Sequence, residues 1–181
     1  MRTTTSTRRP TNRWHTLAQT ALGELTIVRD PEAVTGLYYP HHWYRPDPST
    51  FGPPGDDGFD DVIRQLEQYL AGERRSFTVP VRADGEAWQQ QVWDLVNRIP
   101  YGCTETYGAL AAAVGGDIDA RQVGVAVGRN PLCILVPCHR VVSRDGKLTG
   151  YAGGLARKRQ LLDLERSHTG PFQPTLGLEL R

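Results

Sequence analysis

Cys138 and His139 stand side by side in the run Ile134-Leu135-Val136-Pro137-Cys138-His139-Arg140-Val141-Val142. The thiolate is the reactive form of cysteine, and a neighbouring imidazole or cation lowers a thiol pKa from about 8.5 toward neutrality. The pair, with Arg140 directly after it, is therefore equipped for nucleophilic sulfur chemistry. The same setting suits a small buried core residue, because Ile, Leu and Val flank the thiol. What surrounds the pair decides between the two.

The apolar run 134–136 is strand-like and stops at Pro137, which delivers the pair. Upstream lie two short helical patterns. Thr106 can cap one over 107–114 that stops at Gly115-Gly116, and Asp119 can cap a second over 120–129. Two short helices joined by a glycine turn have the form of a helix-turn-helix, although many enzymes carry such pairs without touching nucleic acid. The second helix is rich in small residues, including Gly124, Ala126 and Gly128, with Arg121 at its start. Small side chains let a backbone come close to another helix or to a DNA groove. Asn130-Pro131 then turns the chain into the thiol segment, and a glycine-rich loop (Gly146, Gly150, Gly153, Gly154) follows before a last helix over 155–166. A helix-turn-helix feeding straight into a thiol site suggests an enzyme acting on a base in DNA, which must first be extruded from the stack.

The first half has a different grain. Residues 25–28 and 34–39 are rich in β-branched and aromatic residues, with turns at Gly23 and Asp30-Pro31. Residues 40–58 hold five prolines and three glycines, which predicts a long irregular loop. Phe59, Val62, Ile63, Leu66, Tyr69 and Leu70 recur at helical spacing over 59–71, ended by Gly72. A short strand is expected over 77–81 and a helix over 87–99, with Trp88, Val92, Trp93, Leu95, Val96 and Ile99 on its buried side. The expected class is α+β: a flexible basic arm at 1–13, an N-terminal domain of antiparallel sheet plus helix at 14–82, and a linker at 83–86. A mainly helical C-terminal domain with the helix-turn-helix follows at 87–167, then a loose tail at 168–181.

Lys plus Arg number 21 against 20 Asp plus Glu, so bulk charge selects no partner. Between residues 120 and 166, however, nine basic residues face three acidic ones, the footprint of a phosphate-binding surface. Cys103, Cys133 and Cys138 are odd in number and lack disulfide-framework or zinc spacing, which fits free thiols in a reducing compartment such as the cytoplasm. No apolar run approaches the roughly 18 to 20 residues that span a bilayer. Residues 1–13 carry four arginines and no acid and lack the apolar segment of a secretory signal, so they read as a disordered arm.

Together, Tyr101-Gly102 to Tyr107-Gly108, Ala120-Arg121 before Val123-Gly124, Asn130-Pro131, Pro137-Cys138-His139-Arg140-Val141 and Gly150-Tyr151-Ala152-Gly153-Gly154-Leu155 resemble the methylated-DNA–protein-cysteine methyltransferases (O6-alkylguanine-DNA alkyltransferases). The resemblance is strong over about 88–165 and weaker over 17–81. It implies that Cys138 takes the alkyl group from O6 of guanine, chiefly O6-methylguanine with O4-methylthymine as a further substrate, irreversibly and once per molecule. His139 would draw the thiol proton through a water, Glu165 would orient the imidazole, and Tyr107 would donate toward N3 of the departing guanine. Asn130 would shape the turn joining helix to site. Arg121 would fill the gap left by the flipped base, while Thr106, Gln122, Gly124, Ala126, Gly128 and Arg129 would meet DNA in its minor groove. Cys133, Pro137, Val141, Tyr151, Ala152, Gly153 and Gly154 would line the base pocket. The implied partner is double-stranded alkylated DNA, bound by a monomer that can cluster along it, without cofactor or membrane, in the cytoplasm and on the nucleoid if bacterial.

The chain departs from the family pattern at a few places. Gln122 stands where alanine is common, Cys133 where proline is common, Ala152 where some members have a hydroxyl, and Cys103-Thr104 where Glu-Thr is usual. Cys133 and Ala152 bear on substrate breadth. The zinc ligands of some members have no counterpart here. Three other readings remain open on the residues: a lesion binder that transfers nothing, a cysteine hydrolase using Cys138, His139 and Glu165, and a helix-turn-helix regulator with an incidental thiol.

Overall fold

A computed structural model describes residues 12–169. The expected basic arm and tail lie outside the described residues, apart from positions 12, 13, 168 and 169.

Three strands, β1 (Trp14–Thr20), β2 (Gly23–Arg29) and β3 (Val34–Tyr38), form an antiparallel meander in the order β1-β2-β3. Gly23 makes the first turn at φ 96°, a left-handed conformation that glycine adopts without penalty. Side chains alternate across the sheet: Leu25, Ile27 and Leu37 enter the main core, while Val28 and Tyr38 meet Phe51 on the opposite face. The 40–58 loop is more ordered than its composition suggests. It contains a 3-10 turn at Pro48–Phe51, with Asp47 accepting from the Ser49 amide at 2.9 Å, and its later part docks along β1 through His15 N to Pro53 O and Gly55 N to His15 O.

Helix α1 (Asp60–Leu70) turns Val62, Gln65, Leu66 and Tyr69 inward at i, i+3, i+4 and i+7, with Asp60 and Asp61 favourably placed at its N-terminus. The strand expected over 77–81 is not formed. A single bridge, Val34 to Val81, is flanked by Val34 N to Pro80 O at 2.9 Å, and Pro80 has no amide to continue a ladder.

In the second half, α2 (Ala87–Asn97) opens on a capping box between Glu86 and Gln89. It ends before residue 99 because Pro100 disfavours the helical conformation at Ile99; the last turn tightens through Arg98 N to Leu95 O and Ile99 N to Val96 O. A two-residue strand β4 (Glu105–Thr106) leads into α3 (Tyr107–Val114), capped by Thr106, whose hydroxyl accepts from Ala109 N at 3.1 Å. Helix α4 (Ala120–Gly128) carries a capping box between Asp119 and Gln122. Trp93 of α2 holds this helix pair by donating from Nε1 to Ala126 O at 2.8 Å.

Residues 134–136 do not form the expected strand. Val136 N bonds Leu132 O and Leu135 N bonds Cys133 O, both at 2.8 Å, so the segment doubles back in a tight turn. Ile134 sits at φ 71°, a position costing roughly 1–2 kcal/mol for a residue with a Cβ. Its side chain is fully buried, worth roughly 1.5–3 kcal/mol, which offsets the strain. A 3-10 turn at Cys138–Arg140, strand β5 (Val141–Val142) and α5 (Leu155–Ser167) complete the fold. The two halves share one core, in which Leu37 and Tyr39 pack with Leu132, Ile134 and Val136, and Leu37 N bonds Pro131 O at 2.8 Å. Among the described residues no helix is long and apolar enough to cross a membrane.

Candidate active site

The parallel pairing of β4 with β5, Glu105 opposite Val141 and Thr106 opposite Val142, sets the start of α3 beside the Cys138–Arg140 turn. From the other side, α5 presents Lys158, Leu161, Leu162 and Glu165 on its buried face. Thiol, imidazole and carboxylate are thereby all buried in the interior, with the imidazole and the carboxylate in direct contact.

His139 and Glu165 are both completely buried, with Nε2 to Oε1 at 2.9 Å. Glu165 also accepts from Arg140 Nε at 3.1 Å and Nη2 at 2.9 Å, from the Gly102 amide at 2.9 Å, and from the Tyr69 hydroxyl of α1. Burial alone would raise the Glu165 pKa. The hydrogen bond from His139, together with the charge and hydrogen bonds of Arg140, outweighs it and holds Glu165 at about 2. Burial pushes the His139 pKa down against the pull of Glu165, with Arg140 and Lys158 acting in the same direction as burial, so the imidazole is neutral near pH 7. A neutral ring donating from Nε2 to a carboxylate leaves a lone pair on Nδ1, and Nδ1 is buried without a hydrogen-bond partner.

Cys138 begins the 3-10 turn and is 1 % exposed. Its Sγ lies 4.0 Å from that of Cys133. The Cys133 thiol is the largest influence lowering the Cys138 pKa; burial opposes it, and the Asn130 side chain and the charge of Lys158 assist. Cys133 is pushed up in return by the same contact and by its burial. Asn130, fully buried, braces the turn: Nδ2 donates to Val136 O and Oδ1 accepts from Leu132 N, each at 2.9 Å.

The glycine-rich loop is fastened by Lys158. Its buried ammonium donates to Val141 O at 2.6 Å, Thr149 O at 2.7 Å and Gly150 O at 3.3 Å, and burial lowers its pKa to about 8. Pro137, Val141, Tyr151, Ala152 and Gly153 are buried, whereas Gly154 is exposed at φ 87°, capping α5. Tyr151 shares a hydrogen bond with Tyr39, hydroxyl to hydroxyl at 3.1 Å. Gly153 lies so close to the Tyr39 ring that a Cβ there would stand 2.4 Å from it. Tyr107 is half-buried and donates to Thr149 O at 3.3 Å; burial raises its pKa and keeps the phenol protonated.

On the helix-turn-helix, Arg121, Gln122 and Arg129 are exposed, Thr106, Gly124 and Gly128 are half-buried, and Ala126 is not at the surface at all. Ala126 faces α2, with its carbonyl bound to Trp93, which corrects its expected place on a DNA-facing surface. The Gln122 side-chain Oε1 accepts from the Asp119 amide. Arg129 stacks on Tyr44 at 5.3 Å, and Trp43, 63 % exposed, stands beside Gly150. The local basic excess is smaller at the surface than in the chain, because Arg140 and Lys158 are buried.

The sequence reasoning missed Tyr69, Arg140 and Lys158 as members of this network, and His42, whose Nδ1 lies 3.7 Å from Cys133 Sγ. A signal for one existed. Lys158, Leu161, Leu162 and Glu165 stand at i, i+3, i+4 and i+7, so both charged residues share the apolar stripe of α5. Tyr69 likewise ends the apolar stripe of α1, but nothing in its spacing shows that its hydroxyl meets Glu165. Among the described residues no group of three or more His, Cys, Asp or Glu could hold a metal ion.

This constellation of a buried thiol, a carboxylate-fixed imidazole and a helix-turn-helix has clear relatives. Residues 87–167 match the family model of the 6-O-methylguanine DNA methyltransferase DNA-binding domain, and residues 14–83 match that family's ribonuclease-like domain. The chain is 43 % identical over 146 residues, 81 % of its length and 88 % of the relative, to the methylated-DNA–protein-cysteine methyltransferase of Mycobacterium bovis. It is 39 % identical over 157 residues to the constitutive enzyme of that name from Bacillus subtilis, covering 84 % of this chain and 95 % of that one. The crystal structure of Mycobacterium tuberculosis OGT in complex with DNA superposes with TM-score 0.80 at 40 % identity, over 86 % of this chain and 94 % of that one. The chain belongs to the methylated-DNA–protein-cysteine methyltransferase family.

Proposed function

We propose that this protein repairs alkylated DNA by moving the alkyl group from O6 of guanine onto its own Cys138, once per molecule. The observation that carries this reading is the orientation of His139: its Nε2 is tied to an ionised Glu165, so Nδ1 is the nitrogen free to take the thiol proton. In the proposed reaction Nδ1 draws that proton through one water. The Cys138 thiolate attacks the saturated carbon in line, the C–S bond forms as the C–O6 bond breaks, and the electron pair leaves with the guanine. Tyr107, held protonated by burial, donates toward N3 of the departing base. The thioether does not hydrolyse under mild conditions, which makes the acceptor consumable.

In this reading the helix-turn-helix enters the minor groove of duplex DNA, where the half-buried Gly124 and Gly128, which carry no side chain, allow close approach. Arg121 takes the place of the extruded base, Arg129 and Gln122 flank it, and the loop at residues 151–154 closes on the guanine. Residues 14–82 and 87–167 act as domains joined at 83–86. The protein works as a monomer that can cluster on DNA, in the cytoplasm. O6-methylguanine is the chief substrate and O4-methylthymine a further one.

A duplex oligonucleotide carrying a labelled O6-methyl group tests the reading. Label should move to the protein and fail to move to Cys138→Ser. Release of label with repeated turnover supports a hydrolase instead, and tight binding with no transfer supports a lesion binder.

A further inference from the structure

His42 has no part in the transfer just described and Cys133 enters it only through its influence on the Cys138 thiol, yet together they extend the Cys138 site into a chain of three reactive groups. Cys133 Sγ is 4.0 Å from Cys138 Sγ on one side and 3.7 Å from His42 Nδ1 on the other. All three residues are buried, at 0 %, 1 % and 5 % exposure respectively for Cys133, Cys138 and His42. The contact is a consequence of the backbone: the tight turn at residues 132–136, with Ile134 left-handed, brings Cys133 back against the residue five positions later. His42 arrives from the other half of the molecule. Its ring also donates to the Asn130 backbone, and burial lowers its pKa to about 4, so it is a neutral acceptor facing the Cys133 thiol.

We propose that Cys133 is a resolving thiol: hydrogen peroxide or a comparable hydroperoxide oxidises Cys138, and Cys133 converts the product into an internal, reducible Cys133–Cys138 disulfide. The atoms balance in two steps. The Cys138 thiolate attacks one peroxide oxygen, the O–O bond breaks, and with one proton the products are Cys138 sulfenic acid and water. Cys133 sulfur then attacks the sulfenic sulfur, the S–O bond breaks, and the Cys133 proton passes by way of His42 to the leaving hydroxide, giving the disulfide and a second water. Overall two thiols are oxidised by two electrons and one peroxide is reduced to two waters. Closing from 4.0 Å to the roughly 2.05 Å of a disulfide needs a shift of about 2 Å shared between two side chains. A small oxidant reaches such a site through local opening. A sulfenic acid without a neighbouring thiol proceeds to sulfinic acid, which thiol reductants do not reverse. Cys133 would therefore hold the acceptor in a recoverable state.

The proposal depends on the repair reading only for its biological consequence, because disulfide formation is read by mass alone. Full-length protein is treated with hydrogen peroxide, blocked with iodoacetamide, weighed intact and peptide-mapped. The expected result is loss of two hydrogens, a peptide linking Cys133 to Cys138 with Cys103 left alkylated, and full reversal by dithiothreitol. Methyl acceptance should disappear and return in parallel. Cys133→Ser and Cys133→Ala, treated identically, should gain oxygen atoms on Cys138 and recover no acceptance with dithiothreitol. The proposal is overturned if wild-type protein gains oxygen on Cys138 without an internal disulfide, or links to another molecule or to Cys103. Equal dithiothreitol recovery in either folded Cys133 variant overturns it too. If neither variant folds, the wild-type peptide map alone decides. Absence of methyl acceptance in untreated protein, with the disulfide still forming, would count against the repair reading and not against this one.

Discussion

Glu165 accepts from His139, Arg140, Tyr69 and the Gly102 amide, four residues donating to one fully buried carboxylate. Such an arrangement is more than a counter-charge. It selects the His139 tautomer, and it neutralises Arg140, whose Nη1 is otherwise used on Ile99 O at 2.6 Å. Glu165→Gln keeps the shape but removes the charge and offers a donor where Nε2–H needs an acceptor. The methyl-transfer rate should fall by about 10²-fold or more, the usual contribution of a positioned general base. Stability should fall by about 3–5 kcal/mol, because Arg140 is left buried and unpaired. Single-turnover kinetics and chemical denaturation on the same sample separate the two effects. Little about Glu165 was visible from its neighbours in the chain; a charge near a helix end is ordinarily solvated. Its place on the apolar stripe with Lys158 was visible, and the structure gives that position its meaning.

At the scale of elements, the helices and the strands expected over 25–28 and 34–39 were legible, whereas the extended segments expected over 77–81 and 134–136 did not form. Thr106 and Asp119 cap α3 and α4 because a side-chain oxygen next to a helical pattern has few other roles. Residues 134–136 look like a strand because Ile, Leu and Val favour one, but burying Ile134 offsets the cost of its left-handed turn, and tertiary packing overrides the local preference. Residues 77–81 fail as a strand for a local reason, the missing amide of Pro80. Two predictions belong here. Arg121→Ala should slow repair of duplex DNA more than reaction with the free alkylated base, and equal slowing would remove its role in base extrusion. Gly153→Ala should impair both folding and acceptance, since its Cβ would stand 2.4 Å from the Tyr39 ring; a melting curve should show a loss of several degrees, consistent with roughly 1–3 kcal/mol for overpacking a dense interior.

For the whole molecule, the site is also where the two halves are joined. Tyr69 and His42 come from the first half, Cys133, His139 and Glu165 from the second, and one core runs beneath them. That junction carries groups that resist protonation. His139 and His42 are held below their ordinary pKa by burial, and Glu165 is held at about 2. In each case the unfolded chain binds the proton first, so stability must fall as pH drops. The window opens near pH 6.5 for the histidines and near 4.5 for Glu165. A folded pKa of about 4 for His42 alone corresponds to about 3 kcal/mol by pH 4. Thermal melts from pH 7.5 to 4 should show a steady decline that begins below pH 6.5, and a flat profile down to pH 5 would contradict the buried neutral imidazoles.

The central claim is that Cys138 is consumed rather than regenerated, and a stoichiometric titration tests it most directly. The protein is mixed with increasing amounts of duplex DNA carrying O6-methylguanine, then weighed intact and mapped. The account predicts a single added methyl group, located on Cys138, and repair that stops when one lesion per protein molecule has been corrected. Repair continuing past one lesion per molecule, or a methyl group found on another residue, would contradict it.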